Sequence, residues 1–213
     1  RKILEKKSTE IIVKDLGAGS KKIKTAKRKI STIAKTSLQE KKMAQLLFKM
    51  INHYQLCDIV VELGTSLGIT TAYLANAKKS NKIYTIEGSS EIANVAKSVF
   101  EKLGLKNVEL IIGDFNVNLK NLILDRKLGL IYIDGNHTKS ATISYFNWAL
   151  ENANDNTVIV VDDIYWSKEM EESWEHIKKS NKVTMTIDLF KMGVVFLHSV
   201  KVKEHFKLKK SIF

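Results

Sequence analysis

The sequence predicts an α/β protein with a doubly wound, mostly parallel sheet of seven strands and a helical N-terminal extension. From residue 54 onward, five apolar runs rich in Val and Ile alternate with helical stretches. Continuous apolar strands separated by helices indicate a parallel sheet that is covered on both faces. The five runs are DIVVEL (58–63), KIYTIE (82–87), VELIIG (108–113), LGLIYID (128–134) and TVIVVDD (157–163).

The two ends of the chain follow other patterns. After residue 180, the runs KVTMTIDLF and MGVVFLHSV are joined by a tight turn near Lys191–Gly193 with no helix between them, which predicts a closing antiparallel hairpin. Before residue 54, apolar residues recur at helical spacing and predict one or two amphipathic helices. We therefore expect a basic helical extension over residues 1–53 and a single domain over residues 54–213.

Length and composition narrow the class of protein. A chain of 213 residues is long enough for one sizeable core. Its single cysteine, Cys57, permits no intrachain disulfide and favours a reducing compartment, so we expect a cytoplasmic protein. No apolar run approaches the roughly 20 residues of a membrane span, and we expect no membrane partner.

The net charge of +12 is concentrated near the N-terminus. Residues 1–53 contain 15 Lys or Arg and 4 Asp or Glu, a net charge of +11. This excess indicates either affinity for a polyanion such as nucleic acid or a solvated, lysine-rich helical surface. Because arginine is scarce and few aromatic residues lie among the lysines, the solvated surface is favoured, and nucleic-acid binding stays open.

The stretch VVELGTSLG (60–68) permits two interpretations. Its G-x-S-x-G pattern is that of a hydrolase nucleophile elbow, but that site needs an oxyanion donor from a loop after an earlier strand. Here only basic helical sequence precedes the pattern. The stretch also reads as a turn between a strand and a helix, where Gly64 and Gly68 let the backbone bend tightly and approach a ligand. We favour this second interpretation.

Acidic residues follow the next two strands. Glu87 ends the second strand, where a carboxylate can accept hydrogen bonds from both ribose hydroxyls of an adenosine. Asp114 and Phe115 follow the third strand and could offer adenine a polar edge and an aromatic face. Taken alone, Glu87 could be a solvated strand end and Asp114 a helix N-cap. Together behind the glycine turn, they favour a nucleoside cofactor, although the turn lacks the G-x-G-x-x-G pattern of NAD sites.

These motifs resemble those of class I S-adenosylmethionine-dependent methyltransferases. VVELGTSLG is similar to their motif I, IYTIEG to their ribose-binding strand and IIGDF to their adenine-contact turn. A similar glycine loop in VKDLGAGSKK (13–22) lacks the apolar helix that should follow, so we interpret it as a turn. The resemblance implies the strand order 3-2-1-4-5-7-6 with an antiparallel last strand. It also implies a cofactor site formed by Glu62, Gly64, Thr65, Ser66, Gly68, Glu87, Ser89, Asp114 and Phe115.

Three carboxylates follow the fourth and fifth strands, which are neighbours in that order. Asp134, Asp162 and Asp163 would meet there, and three such carboxylates need a compensating cation. Oxygen ligands suit Mg²⁺, with Ca²⁺ or Mn²⁺ as alternatives. The other interpretation is that Asp134 caps a helix and the pair merely ends a strand. The arrangement resembles metal-dependent O-methyltransferases of the catechol, caffeoyl-CoA and macrolide-sugar types, which implies that the three aspartates bind the metal.

His137 stands where the catechol type has a lysine, and its ordinary pKa suits proton removal near neutral pH. We expect His137 and Asp134 to be catalytic, the alternative for His137 being a histidine without a role at the start of a helix. Tyr165 and Trp166 could wall the acceptor pocket or simply pack under the last helix. The resemblance implies transfer of a methyl group from S-adenosylmethionine to a small hydroxylated acceptor. The alternatives are an RNA or protein methyltransferase that uses the basic extension and a non-catalytic cofactor-binding protein. We expect the extension to cover the acceptor or form a homodimer interface through Met43, Leu46, Leu47 and Met50.

Overall fold

The computed structural model describes residues 1–13, 26–54, 59–198 and 202–208. Most of the glycine-containing loop in VKDLGAGSKK, and Cys57, lie outside these residues. Within them, the extension contains a 3-10 helix (Leu4–Lys6), two short paired strands and two helices. These four elements are β1 (Glu10–Ile12), β2 (Lys27–Lys29), α1 (Ile30–Thr36) and α2 (Lys41–His53). The prediction of one or two helices in the extension is confirmed.

The predicted alternation of strands and helices follows. Its strands are β3 (Ile59–Leu63), β4 (Lys82–Glu87), β5 (Val108–Ile112), β6 (Leu128–Ile133) and β7 (Val158–Asp162). Its helices are α3 (Ile69–Ala77), α4 (Ser90–Leu103), α5 (Phe115–Asn121), α6 (Lys139–Asn152) and α7 (Lys168–Lys179). Every residue of β3, β6 and β7 is buried, as expected for parallel strands with helices on both faces.

The sheet is completed by β8 (Met185–Asp188), β9 (Met192–Phe196) and β10 (Glu204–Lys207), in the order β10-β8-β9-β7-β6-β3-β4-β5. The antiparallel hairpin is confirmed, because β9 pairs antiparallel with both β7 and β8. The predicted count of seven strands is wrong. An eighth strand, β10, pairs parallel with β8 at the edge, and the strand order therefore differs from the predicted one there. Its basic, exposed sequence gave no period-2 apolar signal.

Apolar clusters cover both faces of the sheet. On one face, α6 and α7 contribute Tyr145, Phe146 and Trp174. On the other face, α2 packs against α3, and Met43 and Leu47 are buried. These α2 side chains, which were expected at an acceptor site or dimer interface, therefore lie inside the chain's own core. A division at residue 53 into extension and domain stays a prediction. In the described part of the chain, no helix combines the length and apolar character needed to cross a bilayer.

Candidate active site

A cavity of about 760 Å³ opens at the edge of the sheet where the parallel strands end. The loops after β3, β4, β5, β6 and β7 line it, together with residues 35–40 of the extension. It brings together ten of the predicted site residues, which are Gly64, Ser66, Glu87, Ser89, Asp114, Phe115, Asp134, His137, Asp162 and Asp163. The convergence follows from topology, because carboxyl ends of parallel strands share one edge.

Glu87 fixes the geometry of the predicted cofactor side. Its Oε2 accepts a hydrogen bond from the backbone N–H of Ser66 (2.9 Å), and its Oε1 accepts one from the N–H of Ser89 (3.0 Å). The carboxylate therefore ties the glycine turn after β3 to the loop after β4. The Oγ of Ser89 is buried and has no hydrogen-bond partner among the described residues. A buried hydroxyl without a partner on a cavity wall suits a polar ligand atom.

Three predicted cofactor residues lie behind the cavity rather than on its wall. The buried Glu62 carboxylate accepts hydrogen bonds from the hydroxyls of Thr71 (2.5 Å) and Thr85 (2.7 Å). The Oγ1 of Thr65 lies 2.6 Å from the Oγ1 of Thr85. Gly68 faces α4, where an added Cβ would come within 2.6 Å of the Phe100 ring. These residues hold the turn in place, and burial raises the pKa of Glu62 to about 7.

Asp114 and Phe115 start helix α5 at the cavity wall. Asp114 is the N-cap, because its Oδ1 accepts from the backbone N–H of Val117 at 3.0 Å. The Phe115 ring packs edge-on against Tyr145, with 5.9 Å between ring centroids. The helix-cap alternative for Asp114 is thus what the structure shows, and contact of either residue with adenine stays a prediction.

The three aspartates gather on the opposite side of the cavity. The Tyr132 hydroxyl lies 3.0 Å from Oδ2 of Asp134 and 3.0 Å from Oδ2 of Asp162. Burial, and then the nearby charge of Asp163, raise the pKa of Asp134 to about 7. Burial and the other two carboxylates raise the pKa of Asp162 well above its ordinary value. The protein thus limits the negative charge of the cluster by raising the pKa of two carboxyl groups and by supplying hydrogen-bond donors.

His137 lies between two of these carboxylates. Its Nε2 is 3.9 Å from Oδ1 of Asp134 and 3.9 Å from Oδ2 of Asp163. Its ring stands 5.6 Å from the ring of Trp166, which also lines the cavity. Burial lowers the pKa of His137 below its ordinary value, so the neutral imidazole is the main form near pH 7. The Tyr165 hydroxyl instead donates to Asp188, and Tyr165 is not among the lining residues, so its predicted place on the wall is wrong.

Asp134, Asp162 and Asp163 form what we call the acid cluster. Two further residues that contact it were not identified from the sequence. Tyr132 lies two residues before Asp134 on β6, and period-2 alternation along a strand could have placed both on one side. Gln39 lies in the loop between α1 and α2, and its Nε2 donates to Oδ2 of Asp162 (2.7 Å) and to the Tyr132 hydroxyl (2.7 Å). No local sequence signal marks Gln39, because its partners are distant in the chain.

The arrangement does not fit the predicted metal site. In the described residues, no group of three or more His, Cys, Asp or Glu side chains is placed to hold one metal ion. Oδ2 of Asp162 instead accepts hydrogen bonds from the amide of Gln39 and the hydroxyl of Tyr132. A cation would meet the positive ends of these donors at that oxygen.

Unusual backbone conformations cluster at the cavity. Ser66, Asn136 and Asp163 have positive φ angles of 49°, 49° and 52°, and all three line the cavity. Such angles are uncommon for residues with a side chain and persist where the surroundings hold them. Each of the turns after β3, β6 and β7 therefore places one residue with a strained backbone on the cavity wall.

Comparison with known proteins identifies the region that forms the site. A family model described as "Methyltransferase domain" matches residues 61–164. Residues 61–164 are therefore similar to a methyltransferase domain. Together with the O-methyltransferases to which the chain is similar, this match confirms the predicted resemblance to class I S-adenosylmethionine-dependent O-methyltransferases. The matched span runs from β3 to just beyond β7 and contains nearly all the loops of the cavity.

The similar proteins include O-methyltransferases of two kinds. A catechol O-methyltransferase of Niastella koreensis is 29% identical over 116 residues, which cover 52% of this chain and 52% of that protein. A protein-L-isoaspartate O-methyltransferase of Petrotoga mobilis is 46% identical over 57 residues, which cover 27% of this chain and 26% of that protein. The match thus spans about half of the first relative and about a quarter of the second.

A solved structure shares the fold of this chain. The O-methyltransferase TomG from Streptomyces achromogenes, in complex with SAM, superimposes with a TM-score of 0.67 and 21% sequence identity. The superposition covers 76% of this chain and 82% of that chain. The α/β fold with a mostly parallel central sheet is confirmed by this likeness.

Proposed function

We propose that this protein transfers a methyl group from S-adenosylmethionine to a hydroxyl oxygen of a small acceptor. The observation that carries the proposal is one cavity with two chemically distinct sides. The glycine turn, Glu87 and Ser89 form the first side, and His137 with its flanking carboxylates forms the second. The catechol O-methyltransferase similarity supports a small hydroxylated acceptor.

The first side suits the cofactor. Glu87 is a carboxylate at the end of the second parallel strand, where it can accept hydrogen bonds from ribose hydroxyls. The Ser89 hydroxyl is buried on the cavity wall with no partner among the described side chains, so a polar cofactor atom would complete its hydrogen bonding. When bound, S-adenosylmethionine supplies an electrophilic methyl group on a sulfonium.

The second side suits proton removal from the acceptor. A hydroxyl is mostly protonated at pH 7, and its oxygen becomes a better nucleophile as the proton leaves. His137 is neutral near pH 7 because burial lowers its pKa, so its imidazole can take that proton. Asp134 and Asp163 lie 3.9 Å from Nε2 and would stabilise the imidazolium that forms. The acceptor oxygen would gain the methyl group as the methyl–sulfur bond of the donor breaks and leaves S-adenosylhomocysteine, and the acceptor would give its proton to His137.

The extension limits what can reach this side. Residues 35–40 line the cavity beside the acid cluster, and Trp166 lines it beside His137. An acceptor between them would contact protein on several sides, which favours a small molecule over a polymer chain. Coverage of the acceptor by the extension is thus part of the proposal.

Metal assistance is the part of the sequence prediction that the geometry does not support. Mg²⁺ at Asp134, Asp162 and Asp163 would have to displace the hydrogen bonds of Gln39 and Tyr132. The proposed reaction therefore contains no step through a metal. Turnover that persists in excess EDTA agrees with this version, whereas loss of turnover that Mg²⁺ restores would establish the predicted metal role.

The function is tested by binding and then by turnover. Isothermal calorimetry with S-adenosylmethionine, S-adenosylhomocysteine, NAD and ATP should show binding of the first two in preference to the others. Radiolabelled methyl transfer is then measured with catechol, 3,4-dihydroxybenzoate, bulk tRNA and a denatured protein mixture as acceptors. Label in the catechols supports the proposal. Preference for NAD or ATP, label only in tRNA or protein, or cofactor binding without any turnover would each contradict it.

A further inference from the structure

The side chain of Gln39 is inserted into the acid cluster from outside the parallel sheet. Its two amide hydrogens can serve Oδ2 of Asp162 and the oxygen of Tyr132, each 2.7 Å from Nε2. The single hydroxyl hydrogen of Tyr132 then remains for Oδ2 of Asp134, 3.0 Å away. The three donor hydrogens thus connect two carboxyl groups through neutral side chains. The other oxygen of Asp162, Oδ1, is buried without a partner in the described structure.

Several contacts hold Gln39 in this position. Arg1 donates through Nη1 to the backbone carbonyl of Gln39 at 2.9 Å. The backbone N–H of Glu40 donates to Oε1 of Gln39 at 2.8 Å, which orients the amide with its nitrogen toward the cluster. Glu40 itself forms an ion pair with Lys191 in the turn between β8 and β9. The backbone and both ends of the amide are thus fixed by different parts of the chain.

A donor amide and a cation have opposite requirements at a carboxylate oxygen. A divalent cation needs the lone pairs of oxygen ligands directed at it and repels the positive end of an N–H bond. Here Nε2 of Gln39 lies at hydrogen-bond distance from Oδ2 of Asp162. The same oxygen also faces the hydroxyl of Tyr132, which connects it to Asp134. An ion at that oxygen would have to displace Gln39.

We propose that Gln39 occupies the place of a divalent cation in this acid cluster, so that the amide and a cation exclude each other at Asp162. The protein itself provides the positive dipoles that three converging carboxyl groups need. This inference is independent of the proposed methyl transfer, because it concerns only the contents of the cluster. It predicts that this chain binds divalent cations poorly and that one substitution creates a binding site.

The test measures Mn²⁺ binding at pH 7.5, both by calorimetry and by the electron paramagnetic resonance signal of the Mn²⁺ that stays free. The full chain is compared with Gln39→Ala, Gln39→Glu and the control Gln45→Ala, which changes an exposed glutamine on α2. Gln39→Ala should bind Mn²⁺ at least about tenfold more tightly than the parent, since the ion no longer competes with the two hydrogen bonds that Gln39 donates to the cluster. Gln39→Glu should bind more tightly still, and Gln45→Ala should behave like the parent.

Further measurements assign the gained site and keep the test decisive. Adding Asp162→Asn to Gln39→Ala should abolish the new site. Mn²⁺ should also raise the melting temperature of Gln39→Glu, because binding to the folded state alone stabilises it, and this readout serves if Gln39→Ala does not fold. Equal Mn²⁺ affinity in the parent and in both Gln39 variants would overturn the inference. Retention of the gained site after Asp162→Asn would also overturn it.

Discussion

The backbone carbonyl of Asp134 lies where a side chain on residue 64 would have to begin. A Cβ built on Gly64 would be 1.9 Å from that oxygen, and the φ angle of Gly64 is +99°. Because the added Cβ would clash with a backbone atom, no side-chain rearrangement could make room. The turn on the proposed cofactor side and the loop on the proposed acceptor side are therefore in direct contact through Gly64.

Gly64→Ala should destabilise the fold and abolish cofactor binding. The matched control is Gly104→Ala, because Gly104 also has a positive φ of +63° but an added Cβ there meets nothing within 4 Å. In Gly104→Ala, the free energy of unfolding should fall only by the cost of a left-handed backbone conformation, about 1–2 kcal/mol. Urea unfolding and calorimetry with S-adenosylmethionine measure both effects. Equal losses in the two variants would show that contact with Asp134 does not constrain the turn.

Glu87→Ala should weaken S-adenosylmethionine binding by at least about tenfold, the factor expected for lost hydrogen bonds to a charged group. The substitution also releases the backbone N–H groups of Ser66 and Ser89, which Glu87 now holds. The control is Glu109→Ala on the neighbouring strand, where the carboxylate pairs with Lys82 away from the cavity. Calorimetry gives both affinities. Unchanged affinity in Glu87→Ala would remove Glu87 from the cofactor site.

Glu62 should make the folded state less stable as the pH rises. Burial raises its pKa from 4.5 to about 7, so the folded state holds a proton that the unfolded state has lost between these values. Stability from this proton is fully present below pH 4.5 and is lost as the pH rises through about 7. Glu62→Gln, which cannot ionise, should show a smaller decline in melting temperature from pH 5 to 8. The exposed Glu101→Gln should follow the parent, and identical profiles for all three proteins would contradict the assignment.

The sequence was most informative where structure is set by local pattern. The predicted run KIYTIE (82–87) has the same bounds as β4 (Lys82–Glu87). Strand ends carrying Glu87, Asp114, Asp134 and Asp162 were expected at one edge, because parallel topology puts them there. Their convergence on one cavity is what the structure shows.

What the sequence could not predict depends on contacts between distant segments. The hydrogen bond from Gln39 to Asp162 joins residues 123 positions apart, and no periodic pattern in a loop reveals such a partner. Gly68 was expected beside the cofactor, but its missing side chain instead makes room for Phe100 on α4. A glycine that admits a ligand and one that admits a neighbouring ring look the same in sequence.

His137→Ala tests the chemistry most directly. If His137 takes the acceptor proton, its removal should lower kcat by roughly 10²- to 10⁴-fold, the usual contribution of a general base. Affinity for S-adenosylmethionine should be almost unchanged, because His137 lies with Asp134 and Asp163 on the other side of the cavity from Glu87. The control is His176→Ala, which removes an exposed histidine from α7.

The parent should keep its kcat as the pH falls through 6.5 and lose it only at lower pH, because burial lowers the pKa of His137. Stopped assays across pH 5 to 9 with a catechol acceptor measure both quantities. A His137→Ala protein that retains the parent's kcat and acid limb would assign proton removal to another group.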